Sequence, residues 1–241
     1  MDDIWLAGID GCREGWIAVF VRPVGDDVHV KILRHFSEVA ADMPAVIGVD
    51  MPIGLPARTG YGGREAENCV RPLLGARQSS VFSVPSRQAV YAQDYAQACE
   101  VALSTSDPPR KISKQLFNIT PKIREVDAAL RADPALAART FEIHPEVAFW
   151  RLNGERPLSD PKKIKSKPYE PGLALRRELL RAAGLPRKIV ESAPPKGAGA
   201  DDLLDALACA AIARRIHAGL AEPFPKSPPH DAYGLPMAIW A

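Results

Sequence analysis

Two aspartates each close a short apolar run, and a third acidic group opens an alanine-rich stretch. The first run is Ile4-Trp5-Leu6-Ala7-Gly8-Ile9-Asp10, and the second is Ala45-Val46-Ile47-Gly48-Val49-Asp50. The third group is Ala200-Asp201-Asp202-Leu203-Leu204-Asp205-Ala206-Leu207-Ala208. A carboxylate at the end of a buried strand is costly to desolvate unless a positive or hydrogen-bonding group stands beside it. Asp202 and Asp205 are three apart and share one helix face, which continues through Cys209 and Ile212, so that face packs on the sheet. Capping and the helix dipole account for one or two acids in a first turn, and here there are three in five residues. Aspartates gathered at one place repel one another unless cations occupy the cluster. Hard oxygen donors of this kind suit Mg²⁺ or Mn²⁺, and two such ions about 3.5–4 Å apart support in-line phosphoryl displacement without a protein nucleophile.

The elements that must bring these acids together can be read in order. Runs over 4–10 and 16–21 are strands joined by a glycine-flanked turn at Gly11 and Gly15, and 28–33 alternates as a third, half-exposed strand. A short helix from Ser37 to about Asp42 leads to the fourth strand. A strand reached through a helix is most simply parallel to its neighbour, which brings Asp10 and Asp50 to one carboxyl edge, where open α/β sheets bind ligands. From Met51 to about Thr140 the sheet pattern stops. Prolines and glycines give way to helical periods around 65–74, 89–103 and 122–130. That insertion is locally basic, and Arg77, Arg87, Lys114 and Lys122 are its candidates for phosphate contacts. The run 139–146 reads as a strand entering a helix at Pro145, with Glu142 and His144 on one face. Lys162, Lys163, Lys165 and Lys167 lie among prolines without a hydrophobic period, the pattern of a mobile basic loop.

Composition bounds the rest. The 241 residues suffice for one large domain, and the net charge of +2 neither requires nor excludes a polyanionic partner. Cys12, Cys69, Cys99 and Cys209 have no paired spacing, so free thiols are expected rather than a zinc knuckle or a disulfide framework. There is no basic leader and no apolar run near the ~18 residues of a membrane span, so a cytoplasmic protein with no membrane partner is expected. Neither a phosphate-cradling loop nor a dinucleotide-binding glycine motif is present.

The order hairpin, third strand, helix, Asp-terminated fourth strand, later strand and acidic final helix resembles the RNase H-like arrangement. The stretch 200–208 is similar to the last motif of Holliday junction resolvases of the RuvC type, in which two acids three apart precede Ala-Leu-Ala. More specifically, Gly8-Ile9-Asp10-Gly11-Cys12, Val49-Asp50-Met51-Pro52-Ile53-Gly54-Leu55-Pro56, Ser79-Ser80-Val81-Phe82, Lys122-Ile123-Arg124-Glu125-Val126-Asp127 and Glu142-Ile143-His144-Pro145-Glu146 resemble an uncharacterised bacterial family of predicted RNase H-like nucleases. The likeness covers nearly the whole chain. It implies an α/β fold with a mixed five-stranded sheet, the first three strands antiparallel and the rest parallel, flanked by helices. The expected organisation is a single RNase H-like domain over 1–241 with a helical insertion over 51–140.

By resemblance, Asp10, Asp50, Asp202 and Asp205 occupy the acidic positions of a magnesium or manganese nuclease. The expectation is that Asp10, Asp50 and Asp205 bind a pair of metals, with Asp202 or Glu142 completing the shell or positioning water, and with His144 and the basic residues of the insertion on the substrate. Asp50 is shorter than the Glu of the resolvase pattern, and Glu142 one strand further on is placed to compensate. The expected activity is hydrolysis of nucleic acid. Two other functions compete: a non-catalytic module binding a nucleotide, metal or protein, and an actin-like phosphotransferase, for whose duplicated fold 241 residues leave little room.

Overall fold

A computed structural model describes residues 4–165 and 167–241. Strands β1 (Leu6–Cys12), β2 (Gly15–Val21) and β3 (Val28–Leu33) form an antiparallel meander. A 3₁₀ stretch over Phe36–Asp42 then leads to β4 (Val46–Val49), which pairs in parallel with β1. The last sheet strand, β5 (Thr140–Glu142), is parallel to β4, so the order across the sheet is β3-β2-β1-β4-β5. This is the RNase H-like mixed sheet expected from the order of the elements.

Between β4 and β5 lie α1 (Glu65–Val70), α2 (Arg87–Val90), α3 (Tyr95–Thr105), α4 (Lys114–Ala132) and α5 (Pro134–Ala137), with a 3₁₀ stretch over Arg71–Ser80. After β5 come α6 (Pro145–Leu152), the two-residue strands β6 (Lys163–Ile164) and β7 (Lys167–Pro168), α7 (Glu170–Ala182), α8 (Arg187–Val190) and α9 (Ala200–His217). A final pair, β8 (Pro223–Phe224) with β9 (Ile239–Trp240), closes against β5 through the Phe141–Trp240 ring contact.

Period-2 alternation splits the strand side chains between two cores. Ala7, Ile9, Trp16, Ala18, Phe20, Ile47 and Val49 face the core shared with α2, α3 and α4. Leu6, Ile17, Val19, Val21 and Val46 face the core built around α6, α7 and α9. Helix α9 is buried along most of its length, from Leu203 to Ala213, as its all-round alanine and leucine composition requires.

The small residues of β1 and β4 set how closely that helix approaches. A Cβ on Gly8 would stand 2.1 Å from the Ala210 amide nitrogen and 2.2 Å from the Ala206 carbonyl oxygen. A Cβ on Gly48 would stand 2.9 Å from the Cys209 carbonyl oxygen and 2.2 Å from the Ile143 side chain. Backbone-to-backbone contact of this kind admits only glycine, and it brings the first turns of α9 over the carboxyl ends of β1 and β4.

The stretch read as a mobile basic loop is instead docked. It forms the β6–β7 hairpin, and its entry is pinned at three successive carbonyls. Arg176, fully buried on α7, donates to the Asp160 carbonyl at 3.1 Å. The Pro161 carbonyl oxygen presses on Gly172, where a Cβ would come within 1.9 Å. The Tyr169 amide donates to the Lys162 carbonyl at 3.0 Å. All four cysteines are free, as expected, and among the described residues no helix is long and apolar enough to cross a membrane.

Candidate metal centre

Gly8 and Asp10 share a strand face, as do Gly48 and Asp50, so both aspartates lie on the α9 side of the sheet. The register Ile9↔Val49 places them side by side at the carboxyl edge, and the Asp50 amide donates to the Ile9 carbonyl at 2.9 Å. Asp205 lies one helical turn before Cys209, whose carbonyl faces Gly48, and so sits above the same edge. One carboxylate oxygen from each of Asp10, Asp50 and Asp205 lies within 4.8 Å of the others. Sequence reasoning brought these three together, and the fold does the same.

The centre is costly when empty of positive charge. Burial raises the Asp10 carboxyl well above its ordinary range, and Asp50 and Asp205 push it further. Burial and then Asp205 raise Asp50 to about 8. Asp205 is raised by burial and opposed by the Lys162 ammonium, which is ion-paired to its Oδ2. Asp205 Oδ1 is buried and has no hydrogen-bond partner among the described residues. Asp10 Oδ1 accepts from the Gly11 amide at 2.7 Å.

The other acids have different partners. Asp202 folds back on the start of α9, its Oδ2 accepting from the Gly199 amide at 2.8 Å, and Asp201 pairs with Lys163 at 2.5 Å. Asp202 therefore reaches the centre through its charge, which also raises Asp10. Glu142 is held on both oxygens. Arg64 Nη2 donates to Oε1 at 2.6 Å, and the Ile53 amide donates to Oε2 at 2.8 Å. Arg64 also binds Glu67 and the Ile53 and Gly54 carbonyls, so this buried cluster fixes the chain just beyond Asp50. Burial alone would lower the Arg64 guanidinium, but Glu142 and Glu67 raise it above its ordinary value.

A cavity of about 390 Å³ opens beside the centre, lined by Asp10, Asp50 and Lys162 together with Met51, Phe82, Val84, Leu116 and Ile119. Of the residues expected on the substrate, Lys122 and His144 line it. Lys122 already donates to the Gly15 carbonyl and lies 4.4 Å from the Trp16 ring centroid. His144 Nε2 is 3.3 Å from the Ser80 carbonyl oxygen, its Nδ1 is buried without a partner, and burial lowers its pKa.

Arg77, Arg87 and Lys114 are not among the lining residues. Arg87 is committed to Asp127 at 2.5 Å and Asp231 at 2.6 Å, a clamp between α2, α4 and the C-terminal segment. Lys114 is exposed at the start of α4, its ammonium 5.7 Å from the Tyr95 ring centroid.

Two residues near the centre escaped sequence reasoning. Lys162 falls in a run of lysines among prolines that has the composition of a solvated loop, with no local sign of a fixed path. Glu146, in the first turn of α6, lines the cavity with Oε1 bound by Arg176 at 2.5 Å and Oε2 buried without a partner. An acid in a first helical turn is common enough to hide its role.

The fold and the three-carboxylate edge define an α/β protein of RNase H-like architecture with a potential metal centre. The chain belongs to a family of proteins of unknown function, DUF429, whose model matches residues 8–230. No curated protein and no solved structure matches it.

Proposed function

We propose that the protein is a divalent-metal-dependent phosphodiesterase acting on nucleic acid. The observation that carries this reading is the convergence of Asp10, Asp50 and Asp205 oxygens within 4.8 Å, with Asp10 and Asp50 lining a cavity. The donors are all hard oxygens, and the orphaned Asp205 Oδ1 has no other acceptor role, so the residues fit Mg²⁺ or Mn²⁺. When bound, such an ion supplies Lewis acidity and a water nucleophile at neutral pH.

The protein's own contributions follow from its geometry. Asp10 and Asp50 are held by strand register and Asp205 by the Gly8 and Gly48 contacts of α9, so the donors are fixed before any ligand arrives. Glu142 and Arg64 hold the turn after Asp50. Phe82, Leu116 and Ile119 give the cavity an apolar lining, and a cleft of this size suits a small ligand or one nucleotide unit. His144 lines the same cavity.

A second reading, a non-catalytic binding module, is favoured by Lys162, which already neutralises part of the cluster. Incubating the protein with single-stranded and duplex DNA and RNA, with Mn²⁺ or with chelator, separates them. Cleavage that needs the ion and falls by on the order of 10²-fold or more in Asp10→Asn supports the enzyme. Equal cleavage by the variant means that the activity belongs to a contaminant.

A further inference from the structure

We propose that Lys162 is a resident cation of the acidic centre, standing in for a second divalent ion, so that the wild-type centre takes up one ion per chain. This inference rests on the reading of the centre as a divalent-metal site.

Three observations carry it. First, the Lys162 ammonium is ion-paired to Asp205 Oδ2, and Lys162 lines the same cavity as Asp10 and Asp50. It takes one oxygen of Asp205 and leaves Oδ1 buried and unpartnered. Second, its position is built rather than sampled. The carbonyls of Asp160, Pro161 and Lys162 are each held, by Arg176, by the bare α-carbon of Gly172 and by the Tyr169 amide. Arg176 is itself fully buried and anchored on Glu146, whose side chain lines the same cavity. The neighbouring Lys163 is tied to Asp201 on α9, so the β6–β7 hairpin is fastened to the helix that carries Asp205. Third, the charges balance. One divalent ion and one ammonium neutralise the three carboxylates, whereas two divalent ions beside the ammonium would exceed even the negative charge counted with Asp202. Lys162 lines the cavity, its side chain 30 % exposed.

The test counts ions rather than turnover. Mn²⁺ is titrated into wild type, Lys162→Gln and Lys162→Arg, and bound ions per chain are read by calorimetry and by loss of the free-ion paramagnetic resonance signal. The expected counts are one for wild type, two for Lys162→Gln and one for Lys162→Arg. Two ions in wild type overturn the proposal, even if Lys162→Gln does not fold, and so does an unchanged count of one in a folded Lys162→Gln. No uptake by any of the three overturns the divalent-metal reading itself and this inference with it. One ion in wild type with no cleavage of any nucleic acid leaves the resident cation supported and removes only the nuclease activity.

Discussion

At the scale of single residues, the centre is a store of electrostatic cost that a cation relieves. Asp50 illustrates the sign. Its folded value of about 8 lies above the ordinary aspartate value of about 3.9, so the fold favours its protonated form. The stabilisation from this group is complete below about pH 4 and is lost as pH rises through about 8. Thermal unfolding without divalent ions should therefore show a melting temperature that declines from about pH 5 to about pH 8, and saturating Mn²⁺ should shrink that decline. A flat profile without ions would mean that the carboxylates neither lose solvation in the fold nor feel one another. Arg64 gives a second expectation. Arg64→Met leaves Glu142 and Glu67 buried without their cation, and urea unfolding should report a loss of about 3–5 kcal/mol. A loss below about 1 kcal/mol would show that the cluster is solvated.

At the scale of elements, the site depends on how closely α9 lies on β1 and β4. Gly8→Ala places a methyl group against the backbone of Ala206 and Ala210, neither of which can retreat without moving the helix. It should cost about 3 kcal/mol in denaturant unfolding and weaken Mn²⁺ uptake, because Asp205 rides on the displaced helix. A fully stable Gly8→Ala with unchanged uptake would contradict this account of the packing. The same packing explains what could be read in advance. Asp10 and Asp50 end short apolar strands that a helical crossover makes parallel, and Asp205 shares a helix face with Cys209 and Ile212, so pattern and strand order together point all three at one edge. Lys162 sits in a run of lysines and prolines that has the composition of a solvated loop. Its place is set by Gly172 and Arg176 on a later helix, contacts that no local pattern announces. Arg87 shows the converse. Its charge suggested phosphate, but Asp127 and Asp231, 40 and 144 residues away, claim it as a clamp.

At the scale of the whole molecule, the sheet supplies one carboxyl edge, α9 supplies the third acid, and the segments on either side of β5 enclose the space above them. The helical stretch after β4 contributes Phe82, Leu116 and Ile119 to one wall, and the chain after β5 contributes His144, Glu146 and Lys162. The centre is thus assembled from parts far apart in the chain, and only the folded molecule presents them together. Crystals soaked in Mn²⁺ and measured at the manganese absorption edge test this most directly. The account predicts an anomalous peak bounded by the carboxylates of Asp10, Asp50 and Asp205. No peak there, with manganese bound only at surface acids, would contradict it.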